Sequence, residues 1–525
     1  MKQALAPLVV GTCALGLYVA SLPPTFAFWD TGELQTVASI LGIAHPPAAP
    51  AFVLLGWLFV HVLPLGDDAW RVNFTCALAV SVAVGLLYVT MRRLSVPPII
   101  AAVCTLGFAG ASVPWQDATR AEVQDVALLF RVAALFFALR WSMSGRRRDL
   151  FFIGACFGLA VATHGIAVLL VPALIPLFAR RTHRRDARGL ALLTGGFVLG
   201  LLPYAYLPLR SAAIARAHLD PTVALGLPVG MPFWNYDDPQ TWHNFVRVVT
   251  GADFDVHSGF AGFAQLSSYP RFAAALVKRL VEAYGFVGCA LAGIGAALLI
   301  ARQRAAGLAL FVAALLPVPY TESYNELQDP SRYYLLTLWC SAIAIGAAFE
   351  FVADLMGLVP RSIGRFAIAG VLVGSFVGAS PDRASLFAQR DNRNAPRYVG
   401  DVIATTPSNA IVVAEWAYAT PLAYAAYVQH IMGQRVVVSA SPTQFVALYR
   451  RWLRMRPVYI VSFNKALAIP GFVLTPLGTG YYYEYHLARS VSDFVRHGTT
   501  RGSAVGRTQQ IRRSRIPSAG DARLQ

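Results

Sequence analysis

FWDTGELQTVASILGIAHPP, residues 28–47, follows the first apolar segment of the chain and carries Asp30, Glu33 and His45 but no lysine or arginine. Charged side chains beside a lipid bilayer need a reason, because removing them from water is unfavourable unless they are paired. Two acids with no cation nearby in the sequence raise the question of what neutralises them. The answer depends on the side of the membrane on which this stretch lies.

The composition of the whole chain indicates a polytopic membrane protein. Of its 525 residues, 56% are hydrophobic and 14% are charged, and the mean hydropathy is +0.53. The apolar runs, of roughly 15 to 22 residues, suit a hydrocarbon core about 30 Å thick. The net charge of +17 arises from basic residues that cluster between apolar segments. This distribution favours the positive-inside rule over nucleic-acid binding as its explanation.

Several functional classes gain no support from the sequence. The six cysteines all lie inside apolar segments and form no C-x-x-C pair, so they are interpreted as packing residues rather than disulfides or metal ligands. The chain has no P-loop, no G-x-G-x-x-G that opens a helix, no H-E-x-x-H and no G-x-S-x-G. A nucleotide-driven pump or a serine hydrolase is therefore not favoured.

The short arginine-rich loops predict the topology. If these loops lie in the cytoplasm, the apolar segments alternate across the membrane without contradiction. The first segment is interpreted as an uncleaved helix rather than a signal peptide. The prediction is a multi-pass protein of the plasma (inner) membrane with about eleven spans, a cytoplasmic N-terminus and an extracytoplasmic C-terminus. The basic loops are 92–93, 146–148, 180–185, 302–304 and 361–365, and the spans are 4–22, 72–91, 98–113, 123–143, 149–163, 165–179, 188–208, 283–301, 306–320, 333–354 and 364–380.

Residues 51–63 are apolar but do not fit this alternation. A crossing here would export the arginine-rich loops that follow, and the segment is short and flanked by prolines. We interpret it as an interfacial or re-entrant helix within the first external loop, residues 23–71. The acidic stretch 28–47 is then predicted to lie on the outer face of the membrane.

The composition changes after residue 380. Short strands are predicted at 411–415, 435–439 and 457–462, with helical stretches at 419–431 and 443–454 between them. The predicted fold class is an all-α polytopic membrane protein with a small C-terminal α/β domain. Its predicted parts are a transmembrane domain (1–380), an extracytoplasmic parallel α/β domain (381–497) and a disordered basic tail (498–525).

Asp30 and Glu33 are the first candidate functional residues. Their i, i+3 spacing places both carboxylates on one face of a helix, and a partly desolvated carboxylate at a membrane surface can act as a general base. Without any chemistry, Asp30 would cap the helix and Glu33 would complete a capping box. His45 precedes two prolines that fix its position, so it is either functional or structural.

Further candidates lie at the predicted outer ends of helices. His164, Arg210 and Arg332 occupy such positions, where they could offer cations to an anionic lipid headgroup, and Glu122 opens a helix at its outer end. The alternative is that each of them only favours a helix dipole or anchors a helix end. Arg131 lies deeper in its span, where an arginine usually faces a polar cavity or an acid.

The motif W-D-T-G-E at 29–33, followed by L-G-I-A-H-P-P at 41–47, resembles the C-type integral-membrane glycosyltransferases. It is similar above all to a family of membrane proteins formerly of unknown function, related to a eukaryotic plexin-type protein O-mannosyltransferase. Further similarities are A-E-V at 121–123, the small-residue turn that ends at His164, R-S at 210–211 and G-Q-R at 433–435. The resemblance spans about residues 1–465 and is densest in the first 210.

The resemblance implies an inverting transfer of a hexose, mannose, from a polyprenyl-phosphate donor to a hydroxyl of an exported protein. Asp30 and Glu33 would be the catalytic acids, with Asp30 deprotonating the acceptor. The other implied roles are binding of the donor phosphate by His45, Arg210 and Arg332, and orientation of the acceptor by Glu122 and His164. No metal ligand is assigned, and the residues do not decide whether a divalent ion takes part. In this view the acids have no nearby cation because their partner is the substrate.

Two other functional classes fit the composition. A flippase or transporter of lipid-linked sugars would carry intramembrane charges and inverted repeats, of which only Arg131 is seen. An envelope scaffold would use the C-terminal domain to bind partners. The oligomeric state is not indicated by any feature of the sequence.

Overall fold

The computed structural model describes residues 2–179, 187–229, 234–254, 256–324, 329–355, 361–379, 382–477 and 483–489. These residues are mostly helical, with one small sheet near the C-terminus. The predicted basic tail and the basic loop 180–185 lie outside them. The helices of the part predicted to cross the membrane are α1 (Lys2–Val19), α2 (Trp29–Ile40), α3 (Pro50–Val62), α4 (Asp68–Arg93), α5 (Pro98–Ala109), α6 (Ser112–Ala118), α7 (Val123–Ser144), α8 (Arg148–Thr163), α9 (Val171–Ala179), α10 (Ala187–Leu201), α11 (Tyr206–Arg216), α12 (Trp242–Thr250), α13 (Val256–Ala261), α14 (Tyr269–Arg302), α15 (Arg304–Leu315), α16 (Pro317–Ser323), α17 (Leu335–Leu355) and α18 (Arg361–Ala379).

Each predicted span corresponds to a helix or to a run of consecutive helices. Within the described ranges, five helical stretches are long and apolar enough to cross a membrane, or six if α5 and α6, which meet at a 62° bend, count as one broken span. Four further apolar helices are shorter. The total of eleven spans stays a prediction, since length and composition alone define these candidates.

One long helix, α14, differs from its predicted form for a physical reason. The helix α14 begins at Tyr269 rather than 283, and a kink at Gly285, where φ is 70°, separates its charged first part from its apolar second part. The first part of α14 was not predicted, because its charged residues interrupt the apolar pattern of a span. The helix α3, in contrast, has the short length predicted for 51–63: its 13 residues at 1.5 Å each make about 20 Å, less than a bilayer core.

The described residues of the C-terminal part form four α-helices and a five-stranded sheet. The strand order is β2-β1-β3-β5-β4, in which β1, β2 and β3 are parallel and β4 and β5 are antiparallel to their neighbours. The helices are α19 (Arg383–Ala388), α20 (Asn394–Thr405), α21 (Trp416–Tyr427) and α22 (Val446–Met455), and the strands are β1 (Ile411–Ala414), β2 (Val436–Ser439), β3 (Val458–Ser462), β4 (Val473–Pro476) and β5 (Tyr483–Ala488).

The sheet is therefore mixed, which corrects the prediction of a purely parallel one. The three parallel strands were predicted, whereas β4 and β5 were not. In β5 the sequence YEYHLA places Glu484 and His486 at buried positions, so the apolar signal of a buried strand is broken.

The C-terminal domain packs directly on the helix that carries the acidic motif. The first helix after β1, α21, lies against α2, and the Tyr424 ring stacks on Phe26 with centroids 4.6 Å apart. The Tyr424 hydroxyl also accepts a hydrogen bond of 3.0 Å from the Ala69 backbone N–H. Close contact is possible at Gly32, where an added Cβ would lie 2.3 Å from the Ala27 carbonyl oxygen and 3.0 Å from the Thr420 Oγ1.

Substitution of Gly32 tests this packing. We expect Gly32→Ala to destabilise the protein by about 1–3 kcal/mol, because the backbone at Ala27 has to move to admit the methyl group. Gly16→Ala is the matched control, since Gly16 is also helical and has no atom within 4 Å of an added Cβ. Thermal unfolding in detergent measures both variants. Equal unfolding temperatures for the two would contradict the packing described.

Candidate active site

The acidic motif begins α2, but neither acid caps this helix. The N-cap residue is Phe28, which makes no side-chain hydrogen bond, and Trp29 holds a left-handed conformation with φ of 59°. Asp30 lies in the first turn, and Glu33 contacts His45 rather than the N-cap backbone. The interpretation of these two acids as a helix cap and capping box is therefore wrong.

Asp30 is held from two sides by distant parts of the chain. The Trp416 indole Nε1 donates a 2.9 Å hydrogen bond to Asp30 Oδ1. The Arg332 guanidinium approaches Asp30 Oδ2 at 3.4 and 3.5 Å. The Asp30 side chain stays 31% exposed, so it is fixed in place yet open to a ligand.

Arg332 joins Asp30 to a second acid, Glu122. Its guanidinium donates to Glu122 Oε2 at 2.8 Å, while Glu122 Oε1 accepts from the Gln124 backbone N–H and so caps α7. The side chain of Glu122 is 3% exposed and that of Arg332 is 19% exposed. Asp30 thus has a cationic partner inside the protein, 302 residues further along the chain. This corrects the expectation that only the substrate neutralises Asp30.

The charges of this cluster follow from its geometry. Burial raises the pKa of Asp30, but His45, Arg332 and the Trp416 N–H outweigh it, and the pKa lies below its ordinary value. Burial lowers the pKa of the Arg332 guanidinium, yet Glu122 and Asp30 raise it well above the usual range. Asp30 is therefore an ionised carboxylate beside a permanent cation.

Glu33 and His45 form a second pair next to this cluster. The His45 Nδ1 lies in hydrogen-bond contact with Glu33 Oε2, and the His45 backbone N–H donates to Glu33 Oε1 at 2.7 Å. Burial lowers the pKa of His45, but Glu33 and then Asp30 raise it to about 9. The imidazole is consequently protonated at neutral pH, and its ring meets Trp416 edge-on at 5.6 Å.

Arg210 does not join the cluster around Arg332. Its guanidinium donates to the carbonyl oxygens of Leu41 at 2.6 Å and Ile40 at 2.9 Å. These carbonyls end α2, where a helix leaves acceptors without partners. The nearby Tyr206 hydroxyl donates to the Gly42 carbonyl at 2.8 Å. Arg210 thus secures the end of the helix whose beginning carries Asp30.

His164 lies beside the cluster as a neutral group. Its Nδ1 accepts from the Ile166 backbone N–H at 3.2 Å, and its Nε2 is 3.5 Å from the Tyr333 hydroxyl. Burial lowers the pKa of His164, as do Arg131 and Arg332, to about 3. The expectation that His164 supplies a cation is therefore wrong.

Arg131 is buried, and its guanidinium donates to the Ala127 carbonyl and to the Gln124 side chain, both on its own helix.

Sequence reasoning missed two parts of the site. One is Trp416, for which the signal was its place directly after the predicted strand β1, where ligands of parallel sheets lie. The other is Arg120, which contacts Asp117 and lies 3.1 Å from Asp329, so that acids and cations alternate behind Arg332. In the part of the chain that the structure describes, no group of three or more His, Cys, Asp or Glu side chains is placed to hold a metal ion.

In fold, the chain is similar to ArnT from Cupriavidus metallidurans, which matches in two crystal structures. The apo structure matches with a TM-score of 0.54 at 15% identity and covers 94% of this chain and 99% of ArnT. The structure bound to undecaprenyl phosphate matches with a TM-score of 0.50 at 14% identity, over 93% of this chain and 98% of ArnT. The predicted C-type architecture is confirmed at the level of the fold.

At the level of sequence, residues 30–187 match the family model described as the protein O-mannosyl-transferase TMEM260 N-terminal domain. The mouse protein O-mannosyl-transferase TMEM260 is 34% identical over 202 residues, which are 37% of this chain and 29% of the mouse protein. The Dictyostelium discoideum counterpart is 35% identical over 77 residues, 14% of this chain and 9% of that protein. The stated resemblance is confirmed: this part of the chain is related to TMEM260. The matches span less than a third of the length of these relatives.

The pair of Glu33 and His45 predicts a particular pH dependence of stability. A raised pKa means that the pair stabilises the fold fully below the unfolded-state value of about 6.5 and loses this contribution as the pH rises through about 9. We expect His45→Gln to lower the unfolding temperature at pH 6 and to have a smaller effect at pH 10. Thermal unfolding across this range measures it.

Glu33→Gln serves as the matched variant. Because it removes the carboxylate that holds the imidazolium, the double variant is expected to lose much less than the sum of the two single losses. Additive losses, or an effect of His45→Gln that does not change with pH, would disprove the ionic pair.

Proposed function

We propose that this chain is an inverting glycosyltransferase of the outer face of the plasma (inner) membrane. It moves a hexose, mannose, from a polyprenyl-phosphate donor to a hydroxyl group of an exported protein. The observation that carries this proposal is the ionised, partly exposed Asp30 carboxylate next to the permanent cation Arg332. Such a pair offers a proton acceptor and an anion-binding group within one small site.

The reaction needs both of these groups. Asp30 takes the proton of the acceptor hydroxyl as its oxygen attacks the anomeric carbon, and the bond from that carbon to the donor phosphate oxygen breaks. The phosphate leaves as polyprenyl phosphate, and its developing charge is stabilised by Arg332 and the protonated His45. Glu33 and Glu122 hold these two cations in position, and His164 orients the acceptor through Tyr333.

The names of the relatives support the two substrates. The mouse and Dictyostelium relatives are protein O-mannosyl-transferases, which favours a protein hydroxyl as acceptor and mannose as the sugar. ArnT, whose fold this chain shares, binds undecaprenyl phosphate, a polyprenyl phosphate. Together they favour transfer over transport or scaffolding as the role of the acidic cluster.

The direct test is transfer of labelled sugar. Purified protein in detergent or lipid is incubated with polyprenyl-phosphate [³H]mannose and envelope proteins, and protein-bound label is measured after gel separation. Movement of the labelled lipid across a vesicle membrane without transfer would identify a flippase instead. Label that stays on the lipid, on the same side, would leave no support for either activity.

Asp30→Asn tests the proposed base. The variant keeps the shape of the side chain, so we expect a folded protein whose transfer rate falls by about 100-fold or more, the usual contribution of a positioned base. Asp391→Asn is the control, since that carboxylate is 80% exposed in the C-terminal part. Glu33→Gln is expected to reduce transfer less than Asp30→Asn does. Near-normal transfer by a folded Asp30→Asn protein would refute the assignment.

Arg332 and Arg210 are both predicted to bind the donor phosphate, and their different surroundings support different expected effects of substitution. Arg332→Ala is expected to weaken donor binding by about 1.5–3 kcal/mol, or about 10- to 150-fold in Kd. Arg210→Ala leaves two carbonyls of α2 without a partner, so we expect a lower unfolding temperature with a smaller change in donor Kd. Equilibrium binding of the labelled lipid measures both. An equal loss of donor affinity in the two variants would restore Arg210 as a phosphate ligand.

A further inference from the structure

The C-terminal sheet has the geometry of a ligand-binding α/β fold. From β1 the chain passes through α21 to β2 on one side, and then through α22 to β3 on the other side of β1. The order of the strands therefore reverses between β1 and β3. In open α/β sheets, the crevice at the carboxyl ends of two such strands is where ligands bind.

This crevice lies against the acidic cluster. The residues that follow β1 are Glu415 and Trp416, and the residue that follows β3 is Phe463. Trp416 reaches Asp30 with its indole N–H at 2.9 Å. The carboxyl edge of the sheet and the beginning of α2 thus form two walls of one site.

Glu415 ties the two strand ends together. Its Oε1 accepts from the Ser462 hydroxyl at 3.2 Å, and its Oε2 accepts from the Phe463 backbone N–H at 3.3 Å. Because Glu415 is also the N-cap residue of α21, this contact fixes Trp416 and Phe463 relative to each other. The crevice is consequently closed at its base by a carboxylate that is already hydrogen-bonded.

Aromatic rings line the opening of the crevice. The Phe463 ring packs on Tyr418 with centroids 4.4 Å apart, and it faces Trp29 at 6.5 Å. Phe463 is 53% exposed although it has two aromatic neighbours, and Trp29 holds its left-handed backbone next to Asp30. A non-glycine residue in that conformation is strained, and such strain is typically retained at functional sites.

We propose that the crevice between β1 and β3 is the acceptor subsite, in which Trp29 and Phe463 hold a hydroxyl-bearing polypeptide segment and Trp416 positions Asp30 towards its hydroxyl. This proposal rests on the glycosyl transfer proposed above. The exposed ring of Phe463 and the half-buried ring of Trp29 offer contact area to an extended peptide at little entropic cost, and a polypeptide is the acceptor class that suits them. Trp416 is a positioning residue, since it acts through the Asp30 carboxylate.

The test separates acceptor from donor. A Ser/Thr-containing peptide that the wild-type protein labels is chosen from a digest of labelled envelope protein, and KM is measured for this peptide and for polyprenyl-phosphate mannose. We expect Phe463→Ala to raise the peptide KM about tenfold and to leave the donor KM unchanged. Met455→Ala is the matched control, because Met455 is 47% exposed at the opposite edge of the sheet and should change neither KM.

Trp416→Phe keeps a ring and removes the N–H donor. The charged or titratable groups that still face Asp30 in this variant are His45, which is paired with Glu33, and Arg332, which is paired with Glu122. Because the carboxylate loses a hydrogen bond, the acid limb of the kcat/KM profile is expected to move to higher pH, which a purely structural role would not cause.

Two outcomes would overturn the subsite. One is a peptide KM that Phe463→Ala leaves unchanged, and the other is a donor KM that rises as much as the peptide KM does. If the wild-type protein transfers no sugar at all, the proposed function fails before the subsite is tested. A folded Trp416→Phe protein with an unshifted pH profile would remove the positioning role.

Discussion

The Arg332 guanidinium between Asp30 and Glu122 is the contact on which the site depends. A cation that is mostly removed from water has to be neutralised by acids at close range, and removal of one partner of such a group is strongly destabilising. Here the two acids come from the start of α2 and the N-cap of α7, while Arg332 lies in the short 3₁₀ helix Pro330–Tyr334 before α17. The ion pairs of Arg332 therefore hold the start of α2, the start of α7 and the 3₁₀ helix before α17 next to one another.

A second constraint acts on the same helix from the other side. The α2 helix is held at its beginning by Trp416 and Arg332, and at its end by Arg210, which binds the last carbonyls. Between them, Gly32 allows the C-terminal domain to approach more closely than a methyl group would permit. The glycine of the W-D-T-G-E motif thus has a packing reason of its own. An added methyl group would meet the Ala27 carbonyl oxygen first and the Thr420 hydroxyl second, so the glycine serves both the path of the chain into α2 and the contact with the C-terminal part.

Local patterns in the sequence predicted local structure well. Apolar periodicity predicted α7, α8 and α17 to within two residues at each end, and three short β-branched runs predicted β1, β2 and β3. It did not predict α12, α13 or the charged first part of α14. The pairing of Asp30 with Arg332 could not be predicted, because the two residues are 302 positions apart and no local pattern carries such a contact. The contacts of Arg210 could not be predicted for the same reason: its position at a helix end was visible, but the carbonyls that it binds lie at the end of a distant helix. The strand β5 was not predicted, because its buried Glu484 and His486 break the apolar pattern of a buried strand.

The separation of Asp30 from Trp416 by 386 positions has a consequence for biosynthesis. A chain is made from its N-terminus, and contacts between distant residues form late because a long loop has to close first. The acidic helix α2 is translated long before its indole donor, Trp416. The complete site can therefore assemble only after most of the chain has been synthesised and the C-terminal sheet has folded. An unfinished chain therefore holds the Asp30 carboxylate without its hydrogen bond from the Trp416 indole.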